Sequence, residues 1–166
     1  MSALIPRSGT DRGGSSVRNT NDEQRKAREL QNARNEKSGY ERLKEEKENI
    51  CRENDEKIRR LKAVKSNLET QKDTAKSRYD SLRDYAESAG EFTEWVGDKR
   101  DKTVDEFNNM IVPGYKTYVE RIDEILDAVC DEITRLQNDN LRLNGDILGI
   151  VSAINSLINK IRTLCN

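Results

Sequence analysis

The side chains available for chemistry are carboxylates, lysines, arginines and three cysteines, because the 166-residue sequence contains no histidine. Histidine is the commonest general base and zinc ligand, so its absence removes every Ser-His and Cys-His nucleophile. Cys51, Cys130 and Cys165 form no Cys-x-x-Cys pair, which argues against both a zinc site and a disulfide framework. We therefore expect no catalytic residues, no metal, no cofactor and no enzymatic activity, and synthesis in a reducing cytoplasm.

The composition predicts long helices with a thin apolar seam. Hydrophobic residues make up 33% of the chain and charged residues 37%, and aromatic residues are only 5%. A helix in a coiled coil buries one stripe and leaves its other faces to water, which gives such proportions. No segment alternates apolar and polar residues for long enough to indicate a strand. The predicted class is all-α, with a long, coiled-coil-like antiparallel helical hairpin.

The boundaries follow from capping and breaking signals. Thr20 and Glu23 have the spacing of a capping box, and Gly90 is a typical residue after a helix end. The predicted organisation is a disordered N-terminal arm over 1–20 and a single helical hairpin domain over 21–166, with helix 1 at about 21–89, a turn at about 90–98 and helix 2 at about 99–164.

Apolar residues recur along helix 2 with seven-residue spacing, which predicts a and d positions of a coiled coil. The stripe comprises Val104, Ile111, Tyr115, Tyr118, Ile122, Ile125, Val129, Leu136, Leu143, Ile147, Ile150, Ile154, Leu157, Ile161 and Leu164. Asn108 and Asn140 are polar members of the pattern. The apolar phase continues through Pro113, so we expect a kink near Pro113 and not a helix end.

Antiparallel counting about a turn near Trp95 places residue i opposite roughly residue 192 minus i. Lysines and arginines between 57 and 65 then flank acids between 127 and 132, so opposite charges meet. Towards the C-terminus the apolar stripe is too wide for the charged first half of helix 1 to cover, and this excess predicts an interface. The predicted partner-binding apolar face is Leu143, Ile147, Ile150, Ile154, Leu157 and Ile161. Its occupant is a different protein or, alternatively, a second copy of this chain in a homodimer.

Trp95-Val96-Gly97 is the other candidate site, at the predicted turn. Phe92 and Phe107 are near enough in sequence to cover the Trp95 ring. A Trp that caps the end of a hairpin beside a Gly that lets the chain reverse explains Trp95 and Gly97 structurally. Display of the same turn for recognition is compatible with that role.

Four segments carry a resemblance to a known group of proteins. They are Glu94–Gly97, Gly114–Tyr118, Leu126–Leu136 and Ile154–Ile158. A helix, a Trp-x-Gly turn and a second helix resemble the WXG or Esx superfamily exported by type VII secretion systems. The four segments together resemble the YwqH-like family, small helical proteins encoded beside LXG polymorphic toxins. The resemblance covers about residues 40–164.

The resemblance implies a non-enzymatic targeting chaperone that binds the helical LXG domain of a toxin and promotes its export. Expected partners are that toxin, a second small helical protein and the type VII secretion machinery, with no nucleic acid and no stable membrane insertion. Exported WXG proteins usually carry Tyr-x-x-x-Asp or Tyr-x-x-x-Glu, but Tyr115 and Tyr118 are followed four residues later by Val119 and Ile122. We therefore expect a cytoplasmic adaptor, whose co-secretion would follow a Sec-independent route. The alternative is a homo-oligomeric coiled-coil scaffold.

Overall fold

The computed structural model describes residues 14–89, 91 and 97–165, with side chains described from residue 20 onward. Helix α1 spans Gly14–Ala89, α2 spans Asp98–Glu106, a π-helical turn spans Phe107–Ile111, and α3 spans Val112–Cys165. No strand occurs within these described ranges. The predicted all-α class is confirmed.

Helix α1 is 76 residues long and begins at Gly14, six residues before the predicted capping box. Once a helix has nucleated, adding a residue costs little, and no proline separates Gly14 from Thr20. The C-terminal end at Ala89 agrees with the prediction. Residues 1–13 of the predicted disordered arm lie outside the described residues.

The chain divides into two units, a central unit of residues 50–142 and a terminal unit whose described residues are 14–49 and 143–165. In the central unit, Ile58 of α1 is buried with Ile133 and Leu136 of α3. Farther along α1, Ala75 is buried with Ile122 and Leu126. Positions ascend along α1 as they descend along α3, so this unit is an antiparallel helical hairpin.

The apolar seam of α1 in the central unit contains residues spaced alternately by three and four. They include Ile58, Leu61, Lys65, Leu68, Lys72, Ala75, Tyr79, Leu82, Ala86 and Ala89, all buried or half-buried. Lysine can occupy such positions because its methylene stem packs along the seam while its ammonium reaches outward. Lys72 pairs with Asp123 of α3, and this ion pair links the two helices.

The terminal unit buries Ala33 of α1, together with Leu143, Ile150 and Leu157 of α3. Lys47 Nζ donates to Asp146 Oδ2 at 2.8 Å and so joins the two helical segments. Lys37 and Lys44 are also half-buried on α1 and pair with glutamates one turn later. This stretch of α1 contributes lysine stems where the central unit more often contributes apolar side chains.

Candidate partner-binding surface

One polar pair lies within the seam of the central unit. Asn54 is 7% exposed and is the buried polar residue of the described chain. Its Nδ2 donates to Asn140 Oδ1 at 2.9 Å, and Asn140 Nδ2 donates to Asp55 Oδ1 at 2.8 Å. A buried amide pair satisfies its hydrogen bonds only when both residues face each other. Asn54 and Asn140 therefore fix the alignment of α1 against α3.

The ion pairs on the outer faces stabilise individual helices. Glu56 accepts hydrogen bonds from Arg59 and Arg60, at 2.9 Å to each. These two guanidinium groups lower the pKa of Glu56 from 4.5 to about 2. Arg135 likewise lowers the pKa of Glu132 through a side-chain hydrogen bond. Partners three or four residues apart meet on one helix surface, so these contacts support local helicity.

The turn contains a glycine in a conformation that other residues rarely adopt. Gly97 has φ 107° and ψ 175° and precedes the first residue of α2, while its carbonyl accepts from the Asp101 amide at 3.2 Å. Trp95 lies outside the described residues, so its predicted place in the turn stays a prediction. Arg100, which the sequence reasoning missed, reaches the Ala89 carbonyl at the end of α1 over 3.5 Å. The contact could have been predicted from a basic residue just after the turn, because arginine side chains often bind the free carbonyl groups at the end of a helix.

The π-turn changes which residues of the second helical segment face inward. Val104 before the turn and Phe107, its first residue, are half-buried, and the centroid of the Phe107 ring lies 5.3 Å from that of Tyr85. The Val112 amide donates to the Phe107 carbonyl five residues earlier, so the next inward residue is Val112 and not Ile111. The prediction of an unchanged apolar phase through Pro113 is wrong by one residue. The continuation of the helix past Pro113 is confirmed.

A row of exposed apolar side chains results from this shift. Ile111 is 36% exposed, and Tyr118 and Ile125 are each 51% exposed, although all three were predicted to lie in the seam. The seam of α3 contains Val112, Tyr115, Val119, Ile122, Leu126, Val129, Ile133 and Leu136 instead. Three adjacent apolar rows of α3 fit the seven-residue pattern, but α1 covers only the rows that begin at Val112 and Tyr115, so the row that begins at Ile111 is exposed.

Ile111 and Tyr118 of this row lie in one wall of an open groove in the central unit, and Ile125 continues the row beyond the groove. The groove has a volume of about 710 Å³ and is lined by Thr70, Gln71, Thr74, Ala75 and Arg78 of α1 and by Met110, Ile111, Gly114, Tyr115 and Tyr118. Met110 is 69% exposed. One wall is mainly apolar and aromatic, and the other is mainly polar. A surface of this kind can receive an amphipathic helix.

The predicted partner-binding face falls in the terminal unit and is largely internal. Leu143, Ile150 and Leu157 are buried, and Ile147, Ile154 and Ile161 are half-buried. The neighbouring Leu148, by contrast, is 72% exposed. A partner would reach the three buried residues only by displacing the chain's own segments. The assignment of these six residues to a partner remains a prediction.

No group of three or more potential metal ligands occurs within the described ranges. Cys51 and Cys130 are half-buried and Cys165 is exposed, and none of the three forms a disulfide. The helical stretch Asp98–Cys165 is long and apolar enough to cross a membrane, by length and composition alone. Core helices of soluble proteins meet the same criterion. The expectations on metals and membranes stay predictions.

The fold and its groove define an all-α helical protein with a candidate interaction surface. The chain belongs to the YwqH-like family, whose model matches residues 35–159. The match includes most of α1, all of α2 and most of α3, and the four segments that carried the resemblance fall within it. No curated protein and no solved structure matches the chain.

Proposed function

We propose that this protein is a non-enzymatic targeting chaperone that binds the helical LXG domain of a type VII secreted toxin and promotes its export. Membership of the YwqH-like family supports the proposal, because the resemblance to that family is what connects the chain to LXG toxins. The WXG-like Trp95-Val96-Gly97 turn supports it further. The protein would act in the cytoplasm and accompany the toxin to the type VII machinery, with a second small helical protein as an additional partner.

The observation that carries this proposal is the open groove with its exposed apolar wall. Met110 and Tyr118, which line the groove, and Ile125, which continues the row beyond it, are each more than half exposed. Large apolar side chains grouped on a surface mark interaction sites more often than scattered ones do. Burying such side chains against a partner helix would stabilise a complex by about 25 cal/mol for each Å² of apolar surface removed from water.

The test is the mass in solution of the protein alone and after co-expression with a toxin that carries an LXG domain, measured by light scattering. Tyr118→Asp places a charge in the groove, whereas Thr117→Asp places the same charge on the adjacent exposed position outside it. We expect a hetero-complex that Tyr118→Asp disrupts and Thr117→Asp leaves intact. A tight homodimer that does not bind the toxin would overturn the proposal in favour of a self-assembling scaffold.

Ile150→Asp and Ile154→Asp test the terminal face separately. Because Ile150 is buried in the isolated chain, its substitution is interpretable only if circular dichroism shows an intact helical fold. Loss of the complex in a folded Ile154→Asp variant would support the six-residue face as a second contact. An unchanged complex would restrict binding to the groove.

A further inference from the structure

The charge of the groove is unevenly distributed. Arg78 is the one formally charged side chain among its ten lining residues. Within the described part of the chain, no ion pair includes Arg78, whereas Lys72 pairs with Asp123 and Arg83 pairs with Asp84. The groove therefore presents a cation that has no carboxylate among its own walls.

The apolar wall has a helical repeat. Ile111 and Tyr118 line the groove at seven-residue spacing, and Ile125, seven residues farther along the same helix face, extends the exposed row beyond it. A straight rod of apolar side chains with this spacing is matched by another helix whose apolar residues repeat every seven positions. The opposite wall offers Thr70, Gln71 and Thr74, which suit the polar flank of such a helix.

We infer that the groove binds an amphipathic helix of the partner that carries a heptad-spaced apolar stripe flanked by an aspartate or glutamate, and that this carboxylate pairs with Arg78. The inference rests on the proposed function and specifies the chemistry of its partner segment. A guanidinium beside an apolar groove favours a carboxylate because Arg can bind both carboxylate oxygens at once.

A second copy of the chain is a poorer occupant. Two-fold symmetric pairing places the same patch on both sides of an interface. It would bring two Arg78 guanidinium groups into one contact, and no lining residue supplies a carboxylate to separate them. Juxtaposed like charges disfavour such an association.

The experiment measures the affinity of the 166-residue protein for the purified LXG domain of a toxin with which it forms a complex, with Arg78→Glu and Lys76→Glu compared with the wild type. Lys76 is exposed on the same helix, does not line the groove and undergoes the same charge reversal. We expect Arg78→Glu to weaken binding about tenfold and Lys76→Glu to change it by less than about threefold, while Arg78→Lys, which keeps the charge but loses the two-oxygen contact, should fall between them. Added salt should weaken the wild-type complex more than the Arg78→Gln complex.

The outcomes separate the two proposals. Equal affinities for Arg78→Glu and Lys76→Glu, in a complex that does form, would overturn the Arg78 pairing and leave the proposed function standing. A wild-type protein that forms no complex would overturn both. A homodimer that Arg78→Glu strengthens or leaves unchanged, with no toxin bound, would assign the groove to self-association and contradict the inference.

Discussion

Replacing the asparagine pair of the central unit with leucines should reveal a strong energetic coupling. In Asn140→Leu, the Asn54 amide, 7% exposed, loses its acceptor. An unsatisfied buried donor costs about 1–3 kcal/mol, and the partly buried leucine offsets only some of this. We expect the free energy of unfolding to fall by about 1 kcal/mol, and Asn54→Leu to have a similar or smaller effect because Asn140 keeps its bond to Asp55.

The double variant, Asn54→Leu with Asn140→Leu, removes both amides and leaves no buried donor unpaired. It should be more stable than the wild type by about 1–2 kcal/mol, as apolar replacements of polar seam residues commonly are. The coupling between the two sites is then about 2–4 kcal/mol, at or above the upper range for residues in contact.

Urea unfolding followed by far-ultraviolet circular dichroism measures each variant, and the exposed Asn138→Leu serves as the control, with an expected change within about 0.5 kcal/mol. Light scattering on the double variant then tests whether the amide pair specifies the helix alignment and the oligomeric state, because without it other alignments and oligomers should appear. Additive effects of the two single substitutions, or a double variant less stable than either, would refute the assigned role of the pair.

Three further predictions concern backbone geometry and charge. Gly97→Ala should destabilise the fold by about 1–3 kcal/mol in thermal unfolding because of its positive φ, whereas Gly39→Ala, helical and with open space around the new Cβ, should stabilise it by about 0.5–1 kcal/mol; equal signs would refute this. Glu56→Gln should lower the melting temperature equally at all pH values above about 5, and this difference from the wild type should vanish as the pH falls from about 4.5 to 2. The reason is that the Glu56 carboxyl, whose pKa is lowered in the folded protein, stabilises the fold only while it is ionised. A lower melting temperature that persists at about pH 2 would contradict the assigned ion pairs. Deleting Asn109 from the π-turn should lower the free energy of unfolding by about 3 kcal/mol while Pro113 remains, and adding Pro113→Ala should restore most of that stability in chemical unfolding. If Pro113→Ala restores no stability, the π-turn does not serve to accommodate the proline.

The sequence predicted the helices and their alignment closely. Counting about Trp95 placed residue 120 opposite Lys72, and the contact is with Asp123, three positions away. The end of α1 at Ala89 and the continuation past Pro113 also agree. The helix end follows from a local breaking signal, Gly90, and the continuation past Pro113 follows from the apolar residues on both sides of the proline, so both can be predicted from the sequence.

The inward face of α3 was harder to predict. Ile111 and Val112 are adjacent and both apolar, so seven-residue spacing admits either one in the seam. The choice depends on the π-type hydrogen bond from the Val112 amide to the Phe107 carbonyl, which lets the helix accommodate Pro113, a residue without an amide hydrogen. The apolar pattern does not reveal this hydrogen bond. For the same reason the groove beside Ile111 could not be anticipated, although Asn140 was correctly singled out as a polar member of the seam.

The π-turn has a consequence for how this surface could change over evolutionary time. Inserting one residue into a regular helix rotates everything beyond it by about 100°. The π-turn between Phe107 and Val112 already accommodates one extra residue. The groove wall can therefore gain or lose a residue there while the packing of Ile122 and Leu126 against Ala75 is preserved. Insertions and deletions, which usually disrupt a long paired helix, can at this one place reshape the groove without disturbing the rest of the hairpin.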